Sequence, residues 1–141
     1  MKNLFKILIL LIGLSVNAQE KLTFDQSLSK AQTEHKNVML FFSGSDWCAP
    51  CVKFKKQFVL TDTFKSFADS NLVVYNADFP RQKKNQLPKE VAEENGKLAE
   101  KYNSKGYFPM ILLLNEKGDV LKKWEQLPTE TLEQFIEKLK S

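Results

Sequence analysis

Only Ala49 and Pro50 stand between the two cysteines of this chain, Cys48 and Cys51. A disulfide across so short a loop removes little entropy from the unfolded chain, so the pair is poorly suited to stapling distant segments. It fits a place where the backbone holds two sulfurs within bonding reach and lets the bond open and close. The flanking residues describe such a place. Val38 to Phe42 is a short continuous apolar run, which reads as a buried strand. Ser43, Gly44, Ser45 and Asp46 make a polar turn. A helix is predicted to begin near Cys48 and to carry Phe54 and Phe58 on one face. Pro50 is tolerated in its first turn, where an N–H has no intrahelical partner.

That context gives the cysteines unequal roles. Cys48 falls at the helix N-terminus, where unpaired N–H groups and the helix dipole favour thiolate over thiol. The thiolate is the attacking species in disulfide exchange. Cys48, at the solvent end, is therefore expected to attack first. Cys51, one turn inward, is expected to resolve the mixed disulfide. Three other uses compete. Half of a structural zinc site would need about four ligands in all, and His35 is the one imidazole in the chain. A cysteine-based copper site would draw on Met39 or Met110. An inert structural bridge gains little from so short a loop. No metal and no cofactor are expected.

The rest of the chain alternates helix and strand. Thr23 followed by Gln26 is a capping-box pattern, which predicts a helix from about Phe24 to His35. Thr61 or Asp62 can cap a short helix holding Phe64 and Phe67. Leu72 to Ala77 reads as a second buried strand, and residues 79–88 as a polar loop between Pro80 and Pro88. A helix to Tyr102 follows, with Val91, Leu98, Ala99 and Tyr102 on its apolar side and Gly96 as a weak point. Met110 to Leu114 is the most apolar strand, and a turn at Asn115–Gly118 leads to Val120–Trp124. The last helix opens near Thr129; its Leu132, Phe135, Ile136 and Leu139 fall at i, i+3, i+4, i+7. Strands separated by helices are expected to lie parallel, and the closing hairpin adds an antiparallel edge. The fold class is α/β: a central mixed sheet with a C-terminal antiparallel hairpin, flanked by helices on both faces.

The N-terminus has a different character. Lys2 and Lys6 precede an apolar stretch from Ile7 to Leu14, and Val16, Asn17 and Ala18 fit the small-residue rule for signal-peptidase cleavage. The apolar stretch is about half of the roughly 20 residues a spanning helix needs. Residues 1–18 are therefore read as a signal peptide, with an uncleaved anchor as the competing reading, and residues 19–141 as one domain. The 141 residues suit one domain better than two, and eleven Phe supply much of the apolar bulk for its core. Of 21 basic side chains, cleavage removes Lys2 and Lys6, leaving 19 against 17 acidic and a net charge of +2. Such a balance gives no case for nucleic acid or an anionic membrane as partner. The cluster Arg81, Lys83, Lys84 and Lys89 reads as a solvated loop, with partner docking as the minor reading.

The sequence resembles the thioredoxin family over nearly all of residues 21 to 141. The resemblance rests on the strand Val38–Phe42, the motif Trp47-Cys48-Ala49-Pro50-Cys51, Asp78 after the second strand, and Phe108-Pro109 before the third. The run from Cys51 to Phe58 with Thr61-Asp62 is similar to the C-terminal domain of the bacterial thiol:disulfide interchange protein DsbD and to stand-alone exported relatives. The resemblance implies a thioredoxin fold and a thiol-disulfide oxidoreductase. Cys48 and Cys51 would be its catalytic residues, and Ala49, Pro50 and Asp46 would support them. It implies that Trp47 packs beside the site, and that Pro109 is a cis-proline facing the pair, with Phe108 and Pro109 contacting an extended substrate segment. Ala49-Pro50 is similar to the Gly-Pro of reducing thioredoxins, which points to a reductase of protein disulfides; it is expected to act as a monomer. The signal peptide would place it in the periplasm or outside the cell, recharged by a membrane electron donor. The alternative is a thioredoxin-fold chaperone or metallochaperone that binds without turnover.

Two positions depart from the family pattern. Typical thioredoxins carry a buried Asp six residues before the first Cys, paired with a Lys on the next strand; here those positions are Phe42 and Val74. An acid is frequent four residues after the second Cys in the DsbD branch; here that residue is Lys55. Asp46, or water, is the expected proton acceptor for Cys51.

Overall fold

A strand buried on both faces needs apolar residues at every position, and two strongly apolar runs among the described residues take the two central places in the sheet. The computed structural model describes residues 21–140. β1 (Asn37–Ser43) pairs in parallel with β2 (Leu72–Asp78) and antiparallel with β3 (Met110–Leu114); β4 (Val120–Trp124) lies antiparallel beyond β3. The order across the sheet is β2-β1-β3-β4. Every residue of β3 is buried, and every residue of β1 after Asn37. On the edge strand β4, Val120 and Leu121 are exposed.

Helices cover both faces. α1 (Phe24–Glu34) and α4 (Lys89–Tyr102) pack Phe24, Ala31 and Leu98 against Leu40, Phe42 and Tyr75. α2 (Ala49–Phe54), α3 (Asp62–Asn71) and α5 (Leu132–Lys140) pack Phe54, Phe64 and Phe135 against Met39, Phe41 and Ile111. This is the expected thioredoxin fold, a mixed sheet closed by an antiparallel hairpin.

The local signals acted as their chemistry requires. Thr23 and Gln26 form the reciprocal capping box of α1, and His35 ends that helix in the left-handed region at φ 54°. The Thr61 hydroxyl, not Asp62, caps α3 by accepting from Phe64 N–H at 3.2 Å. Asn115 Oδ1 accepts from the N–H groups of Lys117 and Asp119, which ties the β3–β4 turn, and Gly118 takes the positive φ of 86° that this turn needs.

Three features differ from expectation. First, only β1 and β2 obey the rule that helix-linked strands lie parallel. The end of β2, Asp78, pairs with Ser43, and the start of β3, Met110, pairs with Phe42. Loop 79–88 and α4 thus return the chain to the end of the sheet it left, and β3 must run the opposite way. Second, the helix after Cys48 is not uniform: α2 passes into a π-helical turn over Lys55–Val59, closed by Leu60 N–H donating to Lys55 C=O at 2.9 Å. That wider turn stacks Phe58 on Phe54 and sets it against Phe135. Third, α5 begins at Leu132 rather than near Thr129, because Thr131 and Gln134 make a second reciprocal cap. The expected signal peptide, residues 1–18, lies outside the described residues. Among the described residues no helix is long and apolar enough to cross a membrane.

Candidate active site

The motif sits where the polar turn after β1 feeds α2. Gly44 C=O accepts from Trp47 N–H at 3.2 Å and from Cys48 N–H at 2.8 Å, which folds the turn back on itself. Cys48, in extended backbone, becomes the N-cap of α2, and Ala49 and Pro50 fill the first helical positions. The two cysteines are bonded, with Cα atoms 5.2 Å apart. Cys51 N–H donates to Cys48 Sγ at 3.3 Å. Once the bond is reduced, a helix-start N–H so placed favours thiolate over thiol at that sulfur. Cys48 is less open to solvent than its place in the turn implied. In the disulfide it is 5% exposed, against 3% for Cys51, whereas Ala49 and Pro50 beside it are exposed.

Aromatic groups flank the pair. Trp47 packs edge-on to Phe108, with centroids 5.2 Å apart, and Nε1 donates to Phe79 C=O at 2.7 Å. The Arg81 guanidinium lies 3.8 Å from the Trp47 ring centroid, so one member of the basic loop caps the indole by a cation–π contact. Phe79 also packs against Phe108. The Phe108–Pro109 peptide bond is cis, Pro109 is buried and Phe108 is half-buried.

Asp46 is engaged elsewhere than expected. Its carboxylate accepts from Arg81 N–H and Gln82 N–H, both at 2.9 Å, and from Asn85 Nδ2 at 3.0 Å. The Arg81 N–H, then Asn85 and Gln82, hold its carboxyl below the usual carboxylate range. All three partners of the carboxylate belong to loop 79–88. Asp46 ties down the loop that carries Arg81.

The two departures from the family pattern also take definite places. Phe42 is fully buried and pairs with Ala77; Val74 pairs with Met39 and is 37% exposed, so the two do not face one another. Lys55 lines a cavity of about 210 Å³ beside Cys51, together with Ser43, Ser45, Val52, Lys56 and Leu60. Two residues of that lining are bonded to Asp78: Oδ1 accepts from Ser43 Oγ at 3.0 Å and from Ser45 N–H at 2.9 Å, and Oδ2 accepts from Ser45 Oγ at 2.6 Å. Sequence reasoning had Ser43 and Ser45 only as turn residues and Asp78 only as a family marker. Their meeting depends on the β1–β2 register, which pairs Ser43 with Asp78. Asn95 was also missed: buried in α4, it donates to Asp78 C=O at 3.0 Å and accepts from Tyr75 OH at 3.2 Å. Among the described residues no group of three or more His, Cys, Asp or Glu is placed to hold a metal ion.

A family model described as thioredoxin-like matches residues 18–116, which include the whole site. The chain belongs to the thioredoxin-like family. Among curated proteins, this thioredoxin-like chain is 34% identical over 99 residues to the disulfide bond reductase DsbH of Chlamydia pneumoniae, a match covering 70% of the chain and 58% of that relative. A second relative, the thioredoxin-related protein DsbJ of the same organism, is 23% identical over 101 residues, which cover 72% of the chain and 28% of DsbJ. The chain therefore spans about half or less of the curated relatives it matches. A solved DsbH oxidoreductase structure superposes with a TM-score of 0.75 at 29% identity, covering 86% of this chain and 81% of that one. The oxidised C-terminal domain of Neisseria meningitidis DsbD shares the fold at 16% identity, with a TM-score of 0.54 and coverage of 81% and 87%. The thioredoxin-like frame thus accounts for the strand-turn-helix setting of Cys48 and Cys51.

Proposed function

We propose that this protein exchanges disulfides through Cys48 and Cys51 and acts as a reductase of protein disulfides. The observation that carries the reading is the Cys48–Cys51 bond at the start of α2, with Cys51 N–H donating to Cys48 Sγ. In the reduced pair, Cys48 thiolate attacks one sulfur of a substrate disulfide and displaces the other as thiolate. Cys51, once deprotonated, attacks Cys48 Sγ. The mixed disulfide breaks, the Cys48–Cys51 bond forms, and the second substrate sulfur leaves reduced. Trp47, Phe108 and Pro109 form the wall on which an extended substrate segment docks. The reducing direction is supported by Ala49-Pro50 between the cysteines and by the likeness to a relative named as a disulfide bond reductase. The reading includes export to the periplasm or beyond on the signal peptide of residues 1–18, action as a monomer, and recharging by a membrane electron donor. Relatedness to Dsb proteins supports that setting.

Insulin reduction by dithiothreitol tests the reading. The wild type should accelerate precipitation of the insulin B chain. Cys48→Ser should abolish the acceleration, and Cys51→Ser should accumulate a mixed disulfide. A Cys48–Cys51 potential near about −270 mV accords with a reductant, and one near about −120 mV overturns the direction. Full partner binding by the double Ser variant, with no turnover by either protein, replaces the enzyme with a binding module.

A further inference from the structure

Resolution of the mixed disulfide needs Cys51 to lose a proton, and a thiol of ordinary pKa, about 8.5, keeps most of its protons at neutral pH. Cys51 is 3% exposed, so bulk water reaches it poorly. Asp46 is committed to loop 79–88. Phe42, beneath the site, carries no titratable group. The cavity of about 210 Å³ beside Cys51 has one other deep wall, Ser43, itself 4% exposed. Behind Ser43 stands Asp78.

We propose that Asp78, acting through the Ser43 hydroxyl and water in this cavity, takes the proton from Cys51 when the mixed disulfide is resolved. Ser43 Oγ lies 3.0 Å from Asp78 Oδ1 and 2.7 Å from Asn76 Oδ1. A proton passed to Ser43 leaves through the carboxylate, because an amide oxygen is far too weak a base. The cavity is ample for water, which occupies about 30 Å³ per molecule in the liquid. The step balances. The Cys51 proton moves to Asp78, Cys51 thiolate bonds to Cys48 Sγ, the bond from Cys48 to the substrate sulfur breaks, and that sulfur carries away the electron pair and is protonated by solvent. The cysteine pair is oxidised and the substrate reduced. Asp78 acts through Ser43 and is a positioning residue.

The charges around this path are mixed. Lys21 Nζ donates to Asn76 C=O at 2.8 Å; burial lowers its pKa, against the opposing attraction of Asp78 and Glu94 and with help from Lys55. Lys55 and Lys56 line the cavity itself. Glu94 is the other acid near Lys21, but its oxygens accept from Tyr75 OH and Phe24 N–H, both at 2.8 Å. Of the acids near this path, Asp78 is the one joined to the cavity by hydrogen bonds, through Ser43 and Ser45.

The inference rests on the exchange reading above. The test is single-turnover oxidation of the reduced full-length protein by glutathione disulfide from pH 5.5 to 9, quenched in acid, with the glutathione adduct on Cys48 followed by mass spectrometry. Wild type should show little adduct at any pH. Asp78→Asn should resolve its adduct about tenfold or more slowly at pH 6–7, with the deficit closing towards pH 9 as Cys51 ionises unaided. Cys48 alkylation should be unchanged. Ser43→Ala should reproduce the defect and Ser43→Thr should relieve it, a comparison that stands even if Asp78→Asn folds poorly. A deficit equal at every pH makes the network merely architectural and overturns the relay, as does a wild-type resolution rate in Asp78→Asn. Wild-type protein inert to glutathione disulfide sinks the exchange reading and the relay together.

Discussion

Gly44 lacks a side chain because Trp47 fills the space one would need. A Cβ built there lies 2.2 Å from the indole, well inside contact distance. The ring cannot yield cheaply, because its Nε1 is bonded to Phe79 C=O and its face lies under Arg81. Gly44→Ala should therefore cost about 1–3 kcal/mol of stability and shift the Trp emission, both read in one urea titration followed by fluorescence. Asp46 gives the second prediction at this scale. Its carboxyl is held below the usual range by the Arg81 N–H first, so it binds its proton less readily folded than unfolded. Its contribution to stability is present above about pH 3.9, the unfolded value, and is lost as pH falls through the lower folded value. Asp46→Asn should be less stable than wild type at pH 7, and the gap should narrow as pH falls below 4, measured by urea midpoints; a gap constant with pH would contradict the linkage. That Cys48 and Cys51 lie within bonding reach was legible from their spacing together with the strand and helix read on either side. The partners of Asp46 were not, because Arg81, Gln82 and Asn85 come to it only through the path of a long loop.

At the scale of elements, the sequence was clearest where the signal is local. Thr23 with Gln26 predicted α1 almost to the residue, and the i, i+3, i+4, i+7 stripe predicted α5. It was least clear where distant packing decides. No local pattern states that the turn at Lys55–Val59 is π-helical; the stacking of Phe58 on Phe54, and its contact with Phe135 far along the chain, go with that turn. The sense of β3 was lost for the same reason. A helix between two strands favours a parallel crossover, yet loop 79–88 adds enough chain to bring β3 in from the other direction. The polar groups of the candidate site follow suit. Ser43 and Asp78 meet because β1 and β2 lie in a particular register, and register is not written in either strand by itself.

For the molecule as a whole, Phe135 is the point where the second core layer converges. Its ring packs against Phe54 at 5.9 Å, Phe58 at 5.0 Å, Phe64 at 6.4 Å and Trp124 at 5.0 Å between centroids, and it is fully buried. Phe135→Ala should cost about 3–5 kcal/mol, seen as a lower urea midpoint with little change in slope. It should also loosen α2, because Phe54 loses one of its supports. The order of synthesis adds a consequence. Cys48 and Cys51 leave the ribosome well before α5 exists, so a nascent chain displays both thiols while the aromatic post that steadies their helix is still being made. Until α5 emerges, Phe54 and Phe58 lack the ring that packs against them, so the helix carrying Cys51 is held in place only once α5 has been made.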